Sequence, residues 1–119
     1  MAHFNTIYAA DESEEIRYTN TTYGSAIREF KLRWSIIETN LYGGYQLGSD
    51  GGLASAKIEI DDGVHTPVTD EQTNTGAYAE KTFNKDISSL SGQITVKLYL
   101  KVASGEGWFK GLSLALYKA

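Results

Sequence analysis

Strict alternation of apolar and polar residues near the C-terminus constrains this chain more than any other feature. Ile94, Val96, Leu98, Leu100 and Val102 alternate with Thr95, Lys97, Tyr99 and Lys101, and a second alternating run extends from Trp108 to Leu116. Successive side chains of a strand point to opposite faces, so each run offers one apolar face to a core and one polar face to solvent. Phe30, Leu32, Trp34 and Ile36 repeat the pattern, as do Ala54, Ala56, Ile58 and Ile60. Half-buried sheet is the expectation throughout. Trp34 and Trp108 fall in the apolar phase of their runs and are expected in the core.

The connections between these runs carry turn chemistry. The segment from Asn40 to Gly52 holds five glycines and reads as a long loop, or a short hairpin framed by loops. Thr66 to Gly76 is a polar run around the only proline, Pro67, and reads as a surface connection. A weaker alternation over Ala77 to Phe83 suggests a strand, and Ile87 to Gly92 a bridging turn that plugs two apolar residues into the core. Ser104-Gly105-Glu106-Gly107 has the composition of a hairpin, which would pair the last two strands antiparallel. The acidic stretch around Asp11 to Glu15 is too poor in apolar residues for a packed helix. Residues 1–28 therefore read as an N-terminal arm or edge strands, and residues 29–119 as one domain. The expected fold is all-β: a two-sheet antiparallel β-sandwich, jelly roll-like, with an extended N-terminal arm.

Composition removes several classes of function. With 119 residues, one domain accounts for the chain. Fifteen acids against eleven bases give a net charge of −4, and the lysines are dispersed, so nucleic acid is not an expected partner. The absence of cysteine excludes disulfides and thiolate metal sites. No apolar run approaches the ~18 residues of a spanning helix, and the N-terminus has no signal-peptide pattern. Neither a membrane nor signal-driven secretion is expected, which points to synthesis in a cytoplasm.

Catalytic motifs are equally scarce. Only His3 and His65 offer imidazole, and neither lies in a recognisable motif. Asp61, Asp62, Asp70 and Glu71 crowd His65, yet their spacing fits no EF-hand, and no metal site is assigned. Gly105 to Gly111 lacks the strand-to-helix setting of a dinucleotide loop, and no serine sits in a nucleophile elbow. The chain is read as a non-enzyme without a cofactor. Aromatic residues are the better lead: eight tyrosines combine apolar rings with polar tips, as recognition surfaces do. Tyr8, Tyr18, Tyr23, Tyr42, Tyr45, Tyr99 and Tyr117 form the candidate interaction surface.

The stretch Lys85-Asp86-Ile87-Ser88-Ser89-Leu90-Ser91-Gly92, continuing through Ile94 to Val102 and on to Gly107-Trp108-Phe109 and Leu112-Ser113-Leu114, resembles the final strands of galactose-binding-like jelly rolls. That fold occurs in carbohydrate-binding modules and in virion proteins of tailed phages, including capsid decoration proteins and tail or fibre accessories. The resemblance implies a virion structural protein, most simply a capsid decoration or cement protein that stabilises an assembled head through protein–protein contacts. Its expected partners are further copies of itself and other capsid proteins, and its expected location is the virion. The alternatives are a carbohydrate-binding module that recognises a glycan through exposed tyrosines, and a tail or fibre accessory.

Overall fold

The computed structural model describes the backbone of residues 3–9, 14–33 and 38–118, and the side chains of 14–32 and 38–118. Its described residues form nine strands and no helix: β1 (His3–Ala9), β2 (Ile16–Tyr18), β3 (Arg28–Arg33), β4 (Asn40–Ser49), β5 (Ala54–Asp61), β6 (Val68–Asn74), β7 (Ala79–Asp86), β8 (Gln93–Val102) and β9 (Gly107–Lys118). All pairings are antiparallel. One sheet has the order β1-β9-β4-β7, with β2 following β1 along the same edge of β9; the other has the order β3-β8-β5-β6. The two sheets form a sandwich.

The apolar phases of the long strands meet between the sheets. Ile94, Val96, Leu98 and Leu100 of β8 and Ile58 and Ile60 of β5 are fully buried. Facing them are Leu41, Tyr45 and Leu47 of β4, Phe83 of β7, and Phe109, Leu112, Leu114 and Leu116 of β9. Each such side chain contributes roughly 1.5–3 kcal/mol through burial. Ile87 and Leu90 plug the end of the core from the β7–β8 turn, as their spacing suggests.

Three sequence expectations are corrected. The glycine-rich segment is not a loop but β4, a central strand between β7 and β9. Its glycines answer to close approach: a Cβ on Gly43 would lie 2.4 Å from the Phe83 ring, and one on Gly48 would lie 3.2 Å from the Trp108 ring. The polar run around Glu71 contains β6, an edge strand whose ladder to β5 needs backbone groups more than apolar side chains. The residues around Gly105 do not close a hairpin. They carry the chain from β8 in one sheet to β9 in the other, and they bond to the neighbouring β4–β5 crossing: Asp50 N donates to Glu106 O at 3.0 Å, Gly52 N to Ser104 O at 2.9 Å and Ala103 N to Leu53 O at 2.9 Å. Two crossings pair with each other where a hairpin would pair its own strands.

Trp108 is also displaced from its expected place. On β9 two residues, Gly111 and Leu112, oppose Tyr45 alone, because Gly44 pairs with Ser113 and Gln46 with Lys110. Gly111 has φ +72°, a left-handed conformation that glycine adopts without steric cost. This bulge reverses the alternation. Leu112, Leu114 and Leu116 face inward on one side of it, and Phe109 faces inward on the other, so Trp108 and Lys110 lie on the outer face. Trp34 lies outside the described residues.

Candidate functional site: an aromatic and charged outer sheet face

One end of the outer face of the five-stranded sheet holds a cluster of aromatic and charged residues. Trp108 pairs with Arg17 of β2 on one side and with Gly48 of β4 on the other, so its indole rests over a position without a side chain. Tyr78, just before β7, stands beside it with ring centroids 5.8 Å apart and planes tilted by 46°. The Arg17 guanidinium lies 5.7 Å from the indole centroid, and the Lys110 ammonium 4.4 Å from the Tyr78 centroid. Both rings are partly exposed.

Two carboxylates fix this arrangement. Arg17 Nε donates to Glu15 Oε1 at 2.6 Å, and Arg17 Nη1 donates to Glu106 Oε1 at 2.7 Å. Trp108 Nε1 also donates to Glu106 Oε1, at 2.9 Å, and the Tyr78 hydroxyl donates to Glu15. The Tyr78 hydrogen bond holds the Glu15 carboxyl below its ordinary range, assisted by Arg17. Burial, joined by the same bond, pushes the Tyr78 phenol pKa up, so it stays a neutral donor. Glu106 N donates to Asp50 Oδ1 at 2.7 Å, which ties the Trp108 end of the sheet to the β4–β5 crossing. The result is two tilted rings held side by side, with Gly48 beneath the indole, ringed by groups that donate and accept hydrogen bonds.

The tyrosines singled out from the sequence scatter instead of forming one surface. Tyr18 is 6% exposed and Tyr45 2%, and both belong to the core, so these two are corrected from the surface to the interior; Tyr117, 8% exposed, is covered in the outer phase of β9. Tyr45 stacks on Phe109 with centroids 4.9 Å apart. Burial pushes the Tyr18 phenol up to about 12 and raises Tyr45 as well. The Tyr117 hydroxyl accepts from Asn84 Nδ2. Tyr42 is exposed on the outer face of β4, at the opposite end from Trp108. Tyr23 and Tyr99 meet on the other sheet, with centroids 6.3 Å apart. The Tyr8 side chain lies outside the described residues.

The carboxylates near His65 disperse in the same way. Asp62 accepts from the backbone N–H groups of Val64, His65 and Ser91 at 2.9, 2.8 and 3.0 Å and contacts His65 Nδ1 at 2.6 Å. Asp70 lies 3.7 Å from Lys85 Nζ, and Glu71 accepts from the Tyr23 hydroxyl. Among the described residues no group of three His, Cys, Asp or Glu side chains is placed to hold a metal ion.

Sequence reasoning missed Trp108, Tyr78, Arg17 and Glu15 as a group. Glycine within an alternating run, as at Gly111, was the one available sign that the phase of β9 changes.

No family model matches the chain, and no curated protein matches it in sequence. Solved structures do match in shape. A CBM4 module superposes with a TM-score of 0.61 at 7% identity, over 95% of this chain and 77% of that one. TmCBM61, solved in complex with β-1,4-galactotriose, matches with a TM-score of 0.54 at 11% identity over 95% of this chain and 86% of its own. An infectious bursal disease virus Gx strain structure matches with a TM-score of 0.61 at 20% identity over 99% of this chain, which spans 33% of the viral chain. Together with the observed two-sheet topology, these likenesses show that the chain has a jelly-roll β-sandwich fold, which these structures share.

Proposed function

We propose that the chain is a non-catalytic recognition module that binds carbohydrate on the outer face of its five-stranded sheet. The Trp108–Tyr78 pair carries this reading. Aromatic faces take up the apolar C–H faces of sugar rings, and Glu15, Arg17, Glu106 and Lys110 surround the pair with hydrogen-bonding groups suited to hydroxyls. Several similar structures, CBM4 and TmCBM61 among them, are carbohydrate-binding modules, which favours the same use of the fold. The carboxylates argue for binding and against hydrolysis. A glycosidase acid needs a raised pKa, whereas Glu15 is lowered and both Glu15 and Glu106 are engaged by Arg17.

A glycan array, followed by calorimetry on any hit, tests the proposal. Binding should be lost in Trp108→Ala and Tyr78→Ala while thermal midpoints stay close to that of the parent. An array without hits, or a hit that both variants retain, refutes it.

A second reading, a virion structural protein acting in capsid decoration, is favoured by a different observation. β1 and β2 lie in line as the edge of the five-stranded sheet, which offers backbone groups to a neighbouring subunit. The viral likeness adds support at the level of fold. Light scattering over a concentration series should then give a discrete oligomer, and deletion of residues 1–8 should abolish self-association or shell binding. A strict monomer that does not bind shells removes this reading and leaves the first intact.

A further inference from the structure

We propose that the outer face of the four-stranded sheet carries a second binding site, for the sulfate or carboxylate groups of an acidic polysaccharide. Tyr99 of β8 pairs with Lys57 of β5, which in turn pairs with Glu71 of β6; one step along the ladder, Lys101 pairs with Ser55. Tyr23 crosses over these residues from the β2–β3 connection. The Lys57 ammonium lies 5.0 Å from the Tyr23 centroid and 4.6 Å from the Tyr99 centroid, and the Lys101 ammonium lies 4.5 Å from the Tyr23 centroid. Both cations thus converge on one aromatic pair.

What distinguishes these lysines is the aromatic pair they share, with no carboxylate seated between them. Lys97, on the same face, is flanked across the strands by Glu29 and Glu59. Lys101 faces a serine instead, and Glu71, the acid opposite Lys57, accepts from the Tyr23 hydroxyl. Neither Lys57 nor Lys101 has a carboxylate within ion-pairing distance among the described residues. Two half-buried ammonium groups held over rings are prearranged for an oxyanion, and the edge of Tyr99 offers apolar contact to the ring that bears it.

The chemistry of the face selects the class of ligand. A protein partner needs a large apolar anchor in a desolvated pocket; the exposed Tyr42 and Val64 lie elsewhere, and Leu53, just before β5, is a single exposed side chain at the rim of this face. A net charge of −4 repels polyanions from the molecule as a whole, so attraction to one has to come from a local site.

Affinity electrophoresis of the full chain through gels containing heparin, polygalacturonate or neutral dextran tests this site. Retardation by heparin marks sulfate as the recognised group, retardation by polygalacturonate marks carboxylate, and dextran should have no effect. Lys57→Gln with Lys101→Gln should weaken retardation about tenfold. Lys57→Arg with Lys101→Arg should retain it, and Lys31→Gln with Lys118→Gln, the same change in charge at positions away from the Tyr23–Tyr99 pair, should alter it by less than about twofold. Trp108→Ala should leave it unchanged, which separates this site from the one on the opposite sheet. Absence of retardation by either acidic polymer overturns the proposal. So does an equal loss in the Lys31/Lys118 pair, or displacement by single-stranded DNA as effective as by either polysaccharide.

Discussion

β8 and β9 are consecutive, similar in composition and both alternating, yet they behave differently. β8 keeps one phase for its whole length, so Ile94 through Val102 all face inward and Thr95 through Lys101 all face outward. β9 changes phase at Gly111, which puts Phe109 against Tyr45 in the core and Trp108 on the outer face beside Tyr78. One inserted residue exchanges the roles of two adjacent aromatics. A regular strand thus builds a wall of one sheet, and a bulged one in the other sheet turns an aromatic side chain from the core to the outer face.

Substitution tests that contrast directly. Phe109→Ala should cost about 3–5 kcal/mol in denaturant unfolding, because it empties a filled core position. Trp108→Ala should cost about 1 kcal/mol or less, as for a partly exposed side chain with little to collapse. Equal costs would contradict the bulged register. Gly111→Ala retains the chain length but forces an L-residue into left-handed geometry, with an expected loss of about 1–2 kcal/mol. Alanine at Lys97 in the regular strand β8 should change stability by no more than about 0.5 kcal/mol.

The smallest effects concern pH. Hydrogen bonds from the His65, Val64 and Ser91 backbones and from the His65 ring hold Asp62 well below the usual carboxylate range, and Tyr78 with Arg17 lowers Glu15. A lowered folded-state pKa contributes stability that is present above the unfolded value and lost as pH falls through the folded one. Unfolding midpoints should therefore decline in acid. Asp62→Asn should remove much of that decline and Glu15→Gln less of it. If Asp62→Asn retains the full acid slope, this carboxylate does not link the β5–β6 and β7–β8 loops as its hydrogen bonds indicate.

Much of the sandwich was legible because burial on one face writes a period of two into the residues. β3, β5 and β8 follow that rule, and the Ile87 and Leu90 plug was readable from its apolar pair between polar neighbours. β4 and β6 were not legible for opposite reasons. β4 replaces side chains with glycine where the Phe83 and Trp108 rings cover it, and β6 is an edge whose stability comes from its backbone ladder. The candidate face was hidden because its members come from positions 15, 17, 78 and 108, which no local pattern joins.

The sequence by itself determined that this chain forms an all-β sandwich without thiol chemistry, since alternation and composition are local properties. Only the tertiary structure decided which sheet each strand enters, where β9 changes phase, and which tyrosines reach solvent. Those choices depend on how crossings, bulges and ring contacts satisfy one another at long range, and a run of residues read alone carries no record of its partners.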